Sequence, residues 1–232
     1  VTPMPSKKIL LFSGVVLAVT AVALRKLATR GQLPARELWH QRLTARHGFW
    51  YAQTILERAG ERYTALLAKA KPYRNSALRE HYRNNILPAI ALYETLKAEG
   101  WKMRLIQDEM SDLLAAQMRP QTTMLRLLHH LPDPFAFFRA LLKQQVKWFY
   151  PAEGWDAQVV ADSPDRLELH VSRCFYLDAL SEHGMPELTP MFCELDDLLA
   201  EGFPQQIHWR RKGTLARGND VCDFCYERVK EE

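Results

Sequence analysis

Three cysteines and a pair of aspartates in the last third of the chain are the residues best suited to chemistry. Cys174 stands in Arg-Cys-Phe-Tyr, Cys193 in Phe-Cys-Glu-Leu-Asp-Asp, and Cys222 in Asn-Asp-Val-Cys-Asp-Phe. A thiol is a nucleophile once ionised, and a carboxylate can activate water, so a fold that gathers these groups makes a reaction centre. Asp196 and Asp197 follow Cys193 by three and four positions. On a helix that spacing puts them beside the thiol, offering nucleophile and base from one element. Cys174 falls where a strand pattern gives way to a helix pattern, and unpaired backbone amides there favour a thiolate or another anion. Cys222 opens the last strand on the face of Phe224 and Tyr226, while Asp223 and Cys225 point the other way.

Metal binding is the competing use of such residues. Structural zinc sites begin with two ligands two to four residues apart, and only Cys222 and Cys225 satisfy that, so no metal and no cofactor is assigned. Cys225 is read as a packed core thiol. His208, Arg210, Arg211 and Arg217 surround the third strand and its turn, and an arginine aimed inward would grip a carboxylate with two parallel hydrogen bonds.

These groups need a scaffold, and 232 residues of ordinary globular composition provide one. The net charge of +4 is unevenly placed: residues 1–50 hold eight Lys or Arg against one acid, leaving the remainder at −3. A basic surplus confined to one end, rather than spread over a folded face, argues against nucleic-acid binding. From Ile9 to Leu24 the chain carries no charge, and Lys7, Lys8, Arg25 and Lys26 flank that run. It is short for a span of about 20 residues, yet with snorkelling lysines residues 9–27 are expected to form a membrane anchor. The basic excess on its carboxy-terminal side places the domain on the cytoplasmic face of the inner membrane as a single-pass protein. Four cysteines are too few for a disulfide framework.

The expected fold is α+β: an amino-terminal membrane helix over 1–30, a helical part over 31–150, and a small antiparallel sheet of about four strands over 151–232. Ala52, Leu56, Ala59, Tyr63, Leu66 and Ala70 recur at helical spacing, which predicts one long helix between Arg36 and Ala70. Lys71-Pro72 ends it, and Leu78, Tyr82, Ile86, Ile90, Tyr93 and Leu96 predict a second that Pro88 kinks or restarts. A third is expected from about Arg104 to Met118, stopped by Pro120, and further helix follows Pro134. Beyond Pro151, Leu167, Leu169 and Val171 alternate with polar residues as in a half-buried strand. Asp162-Ser163-Pro164-Asp165 is a turn before it, two short helices end at Gly184 and Gly202, and strands are expected near 207–212 and 221–229.

The segments Pro186-Glu187-Leu188, Phe192-Cys193-Glu194-Leu195-Asp196 and Thr214-Leu215-Ala216-Arg217-Gly218 through Cys222-Asp223-Phe224, with Cys174 upstream, resemble the L-2-amino-thiazoline-4-carboxylic acid hydrolase family. The resemblance implies a hydrolase that opens a cyclic amidine to an N-carbamoyl amino acid such as N-carbamoyl-L-cysteine. On that reading Cys193, or a water activated by Asp196, attacks the ring carbon between nitrogen and sulfur, and Cys174 and Cys222 line the pocket. Arg210 or Arg217 holds the substrate carboxylate, with Thr214, Gly218 and Asp223 on the substrate side. The partner is a small-molecule substrate, and the oligomeric state is left open. The close Arg-Gly-Asn-Asp-Val-Cys-Asp-Phe is also similar to that of vinyl-4-reductase domains, so a membrane-tethered small-molecule-binding module without catalysis is the alternative.

Overall fold

The computed structural model describes residues 32–230. The chain runs through α1 (Arg36–His47) and α2 (Phe49–Ala68), then α3 (Ser76–His81), which passes through a π-helical turn at Tyr82–Ile86 into α4 (Leu87–Ala98). α5 (Met103–Arg126) and α6 (Pro134–Phe149) complete the helical half. β1 (Asp156–Ser163) and β2 (Arg166–Arg173) follow, then α7 (Phe175–Glu182), α8 (Thr189–Ala200), β3 (Ile207–Arg210) and β4 (Cys222–Arg228). The four strands form one antiparallel sheet in the order β1-β2-β4-β3.

The α+β architecture and the four-stranded antiparallel sheet agree with the sequence reading; the membrane helix does not. No helix among the described residues is long and apolar enough to cross a membrane. The 9–27 segment to which the anchor was assigned lies outside the described residues, which form an α+β fold without that element.

Helix boundaries also differ where the backbone has options that side-chain periodicity does not register. The continuous helix expected from Arg36 breaks at Gly48, whose φ of 88° and ψ of 158° fall in a region open essentially to glycine alone. Pro88 neither ends nor sharply kinks its helix. Its missing N–H and its ring are absorbed by the π turn just before it, where the Leu87 amide reaches back five residues to the Tyr82 carbonyl. Pro120, on an exposed position, does not stop α5, which continues to Arg126.

Two apolar clusters hold the molecule. The larger joins α1, α2, α4 and α5 through Trp39, Leu43, Ile55, Leu56, Ile90 and Leu113, and takes in Phe175, Leu180 and Met191 from the later helices. The smaller seats Phe135 and Phe138 of α6 against Leu167 and Leu169 of β2, Ile207 of β3 and Tyr226 of β4. Asp133 fixes α6 at its start. Its Oδ1 accepts from the Ala136 amide at 2.9 Å, and both its oxygens accept from the Arg228 guanidinium at 2.9 Å, which ties the helix cap to the end of β4.

The pairing of β2 with β4 sets Leu167 opposite Tyr226, Leu169 opposite Phe224 and Val171 opposite Cys222. Those six share the sheet face turned toward the helices. The alternate residues, Arg166, Glu168, His170, Asp223, Cys225 and Glu227, make a polar outer face on which Arg166 is ion-paired to Glu168 and Glu227.

Candidate active site

The inner sheet face, α8, the start of α7 and the end of α6 meet in the region that carries the thiol and acid residues. Cys222 enters it from β4, Cys193 and Asp196 from α8, Cys174 from the residue before α7, and Tyr150 from the end of α6. Electrostatic coupling relates these groups: Asp196 acts on Cys174, Cys193, Cys222 and Tyr150, while Cys174 and Cys222 act on Cys193 and Cys222 acts on Cys174. Three thiols and a carboxylate separated by up to 48 positions are therefore brought within electrostatic range of one another. No group of three or more His, Cys, Asp or Glu among the described residues is arranged to hold a metal ion. All four cysteines are free thiols.

Asp196 has protein packed around its carboxyl, although 40 % of its side chain stays open to solvent. Enclosure raises its carboxyl pKa to about 6, with Arg211 opposing the rise and Asp197 adding to it. Such a group is mostly ionised at neutral pH and still basic enough to take a proton from water. Cys193 is affected in the same direction. Burial first, then the negative charge of Asp196, pushes its thiol up to about 12, which leaves it protonated at neutral pH. Burial also raises Cys174, although the amides of Tyr176 and Leu177 at the start of α7 favour its thiolate. It raises Cys222 as well, whose sulfur accepts from the Leu215 amide at 3.3 Å.

Arg211 organises the centre. Its side chain is 5 % exposed, and it donates to Asp196 Oδ2 at 2.9 Å, to Asp197 Oδ2 at 2.9 Å and to the Cys193 carbonyl at 3.0 Å. Its guanidinium lies over the rings of Trp209 and Phe224 at 5.4 and 5.6 Å. One arginine thus fixes α8 to the sheet and sets the charge of the candidate base.

The arginine expectations sort by strand parity. Arg210 lies opposite Cys225 on the outer face, where it pairs with Glu227 at 3.4 Å, so it is turned away from the site. Arg217 is exposed, on the 3-10 turn Leu215–Arg217 that packs against α8. Ile207 and Trp209 carry the inward parity, and the next residue of that parity is Arg211. That alternation was the signal available in the sequence.

The residues of the closing motif shape the loop before β4. Asp223 Oδ1 accepts the Lys212 and Gly213 amides at 3.0 and 2.7 Å, and Asn219 Oδ1 accepts the Thr214 amide at 3.1 Å. A Cβ on Gly213 would stand 2.6 Å from Asn219 Cγ, so the loop closes only around glycine. Gly218 takes a left-handed φ of 84° at the end of the 3-10 turn. Thr214 is buried with its hydroxyl unpaired among the described residues. Asp223 and Gly218 therefore hold the loop that places Cys222, and neither is turned to the site by any contact seen here.

Two aromatic residues that periodicity alone assigns to packing also belong to the site. Tyr150 follows the end of α6 with 40 % of its surface exposed, and Tyr176 lies in the first turn of α7, where partial burial raises its phenol. The Tyr176 hydroxyl lies 2.9 Å from His81 Nδ1 and 2.9 Å from Asn85 Nδ2, in the α3 and π-turn segment. The π turn that accommodates Pro88 thus carries Asn85 into the site, a common setting for such turns.

A family model described as L-2-amino-thiazoline-4-carboxylic acid hydrolase matches residues 79–226, more than half of the chain. The chain belongs to this family. The match begins in α3, so it takes in His81 and Asn85 together with α6, the sheet and the thiol segments. No curated protein matches the chain.

Proposed function

We propose that the chain is a hydrolase that opens a cyclic amidine of the 2-aminothiazoline-4-carboxylate type, with Asp196 as general base. The observation that carries this reading is Asp196 itself: a carboxyl raised to a pKa of about 6, paired to a nearly buried arginine and within electrostatic range of three thiols. The family match supplies the substrate class.

Of the two nucleophiles the sequence allows, water is favoured. A thiol raised to about 12 is almost wholly protonated at neutral pH and loses the advantage of a preformed thiolate, so we assign the attack to water with Asp196 as its base. In the proposed reaction, water oxygen bonds to the ring carbon between nitrogen and sulfur while Asp196 takes one of its protons. The carbon–nitrogen double-bond electrons move to the ring nitrogen, which takes that proton from Asp196; the new hydroxyl then gives its remaining proton through Asp196 to the departing sulfur as the carbon–sulfur bond breaks and the carbonyl forms. The products are a carbamoyl group on the former ring nitrogen and a free thiol. Cys193, Cys174 and Cys222 stay protonated and form a weakly polar wall around the ring. Arg211 is fully engaged with the protein and acts as a positioning residue. Arg217, on the turn against α8, is the cation we assign to the substrate carboxylate.

The test is to incubate the reduced, folded chain with 2-aminothiazoline-4-carboxylate and follow N-carbamoylcysteine by mass. Product formation that disappears in Asp196→Asn supports the reading. Thermal stabilisation by the ligand with no product would overturn it in favour of a binding module.

A further inference from the structure

Beyond supplying a base, the site contains a hydrogen-bond chain whose direction is fixed. His81 Nε2 lies 2.8 Å from the Phe149 carbonyl oxygen. A carbonyl only accepts, so Nε2 carries the proton. The ring is partly buried, and that desolvation lowers its pKa and favours the neutral form, in which Nδ1 has a lone pair and no hydrogen. The Tyr176 hydroxyl at 2.9 Å must therefore donate to Nδ1. Asn85 Nδ2, at 2.9 Å, donates to the same hydroxyl oxygen. Tyr176 has then given away its only proton and accepted one bond, and it retains a single acceptor lone pair.

Rings confine this chain on several sides. His81 packs edge-on against Trp155 at 5.0 Å and Tyr176 at 5.6 Å, and Tyr176 lies against Phe192 at 4.7 Å. While the ring is neutral, reversing the polarity would require His81 to lose its bond to the Phe149 carbonyl. The hydroxyl is within electrostatic reach of Asp196, Cys174 and Tyr150, the groups to which the proposed reaction is assigned.

We propose that Tyr176, oriented by His81 and Asn85, is a specificity residue that accepts a hydrogen bond from the exocyclic N–H of the amidine and thereby rejects the corresponding oxo compound. This deepens the proposed function and rests on it. A 2-amino substituent offers a donor to the lone pair, whereas a 2-oxo substituent sets one acceptor against another. A site built to pair a particular donor discriminates strongly because the mismatch leaves polar groups unpaired in an enclosed space.

The experiment measures kcat and KM for 2-aminothiazoline-4-carboxylate and the inhibition constant of 2-oxothiazolidine-4-carboxylate, in the unaltered protein and in Tyr176→Phe and His81→Phe, each checked for folding by circular dichroism. The unaltered protein is expected to prefer the amino compound by at least about tenfold. Tyr176→Phe should reduce that preference mainly through KM. His81→Phe frees the tyrosine proton to turn toward the substrate, so the oxo compound should bind more tightly than before, a gain that loss of packing does not produce. If the amino compound is turned over and both variants keep the original preference, the specificity role is overturned while the hydrolase reading stands. If the unaltered protein does not turn over the amino compound at all, the hydrolase reading fails and the inference falls with it.

Discussion

Replacing Arg211 by methionine tests whether the site works through the charge of Asp196. The substitution keeps an unbranched side chain over Trp209 and Phe224 and removes a guanidinium that donates to Asp196 Oδ2 at 2.9 Å. A charge-assisted contact of this length would be strong if buried, but Asp196 is 40 % open to solvent, and the screened value is about 1–2 kcal/mol. At 1.36 kcal/mol per unit, the loss raises the Asp196 pKa by about one unit above its value near 6. A general base acts only when ionised, so ring opening by the unaltered protein should fall away as pH drops through about 6. In Arg211→Met the same acid limb should lie near pH 7, with much of the rate recovered at pH 8. The assay is the pH profile of kcat/KM for 2-aminothiazoline-4-carboxylate, with the melting temperature recorded at each pH. The reasoning is refuted if the variant folds, its limb stays where it was and only the plateau collapses, since Arg211 would then act on substrate directly.

Further expectations concern the base, the thiols and the loops. Asp196→Asn should lower kcat by about 10²- to 10⁴-fold, the usual worth of a general base, with the circular dichroism spectrum unchanged. Cys193, held protonated by burial and by Asp196, should react with iodoacetamide at pH 7 far more slowly than a free cysteine, as peptide mass mapping would reveal, and rapid labelling would contradict a pKa of about 12. Asp223→Ala leaves the Lys212 and Gly213 amides without their acceptor and should cost about 1–3 kcal/mol in urea unfolding. Gly48→Ala forces an alanine into a φ of 88° with no steric obstacle nearby, so a stability loss of about 1–3 kcal/mol there would come from the backbone alone.

The sequence by itself determined which segments matter and the local character of each. Alternation at Leu167, Leu169 and Val171 specified a half-buried strand, and three-and-four spacing along residues 52–70 specified a helix, because side-chain direction follows backbone repeat. The spacing of Cys193 from Asp196 placed thiol and acid together for the same reason. Only the tertiary structure decided what those groups face. The inward choice of Arg211 over Arg210 rests on which face of β3 the helices cover. Tyr150 and Tyr176 enter the site through packing between segments far apart in the chain, and the polarity of Tyr176 is set by a backbone carbonyl at the end of α6. The pKa values of Asp196 and Cys193 come from enclosure and neighbouring charge, physical quantities that exist only once the chain has closed around them.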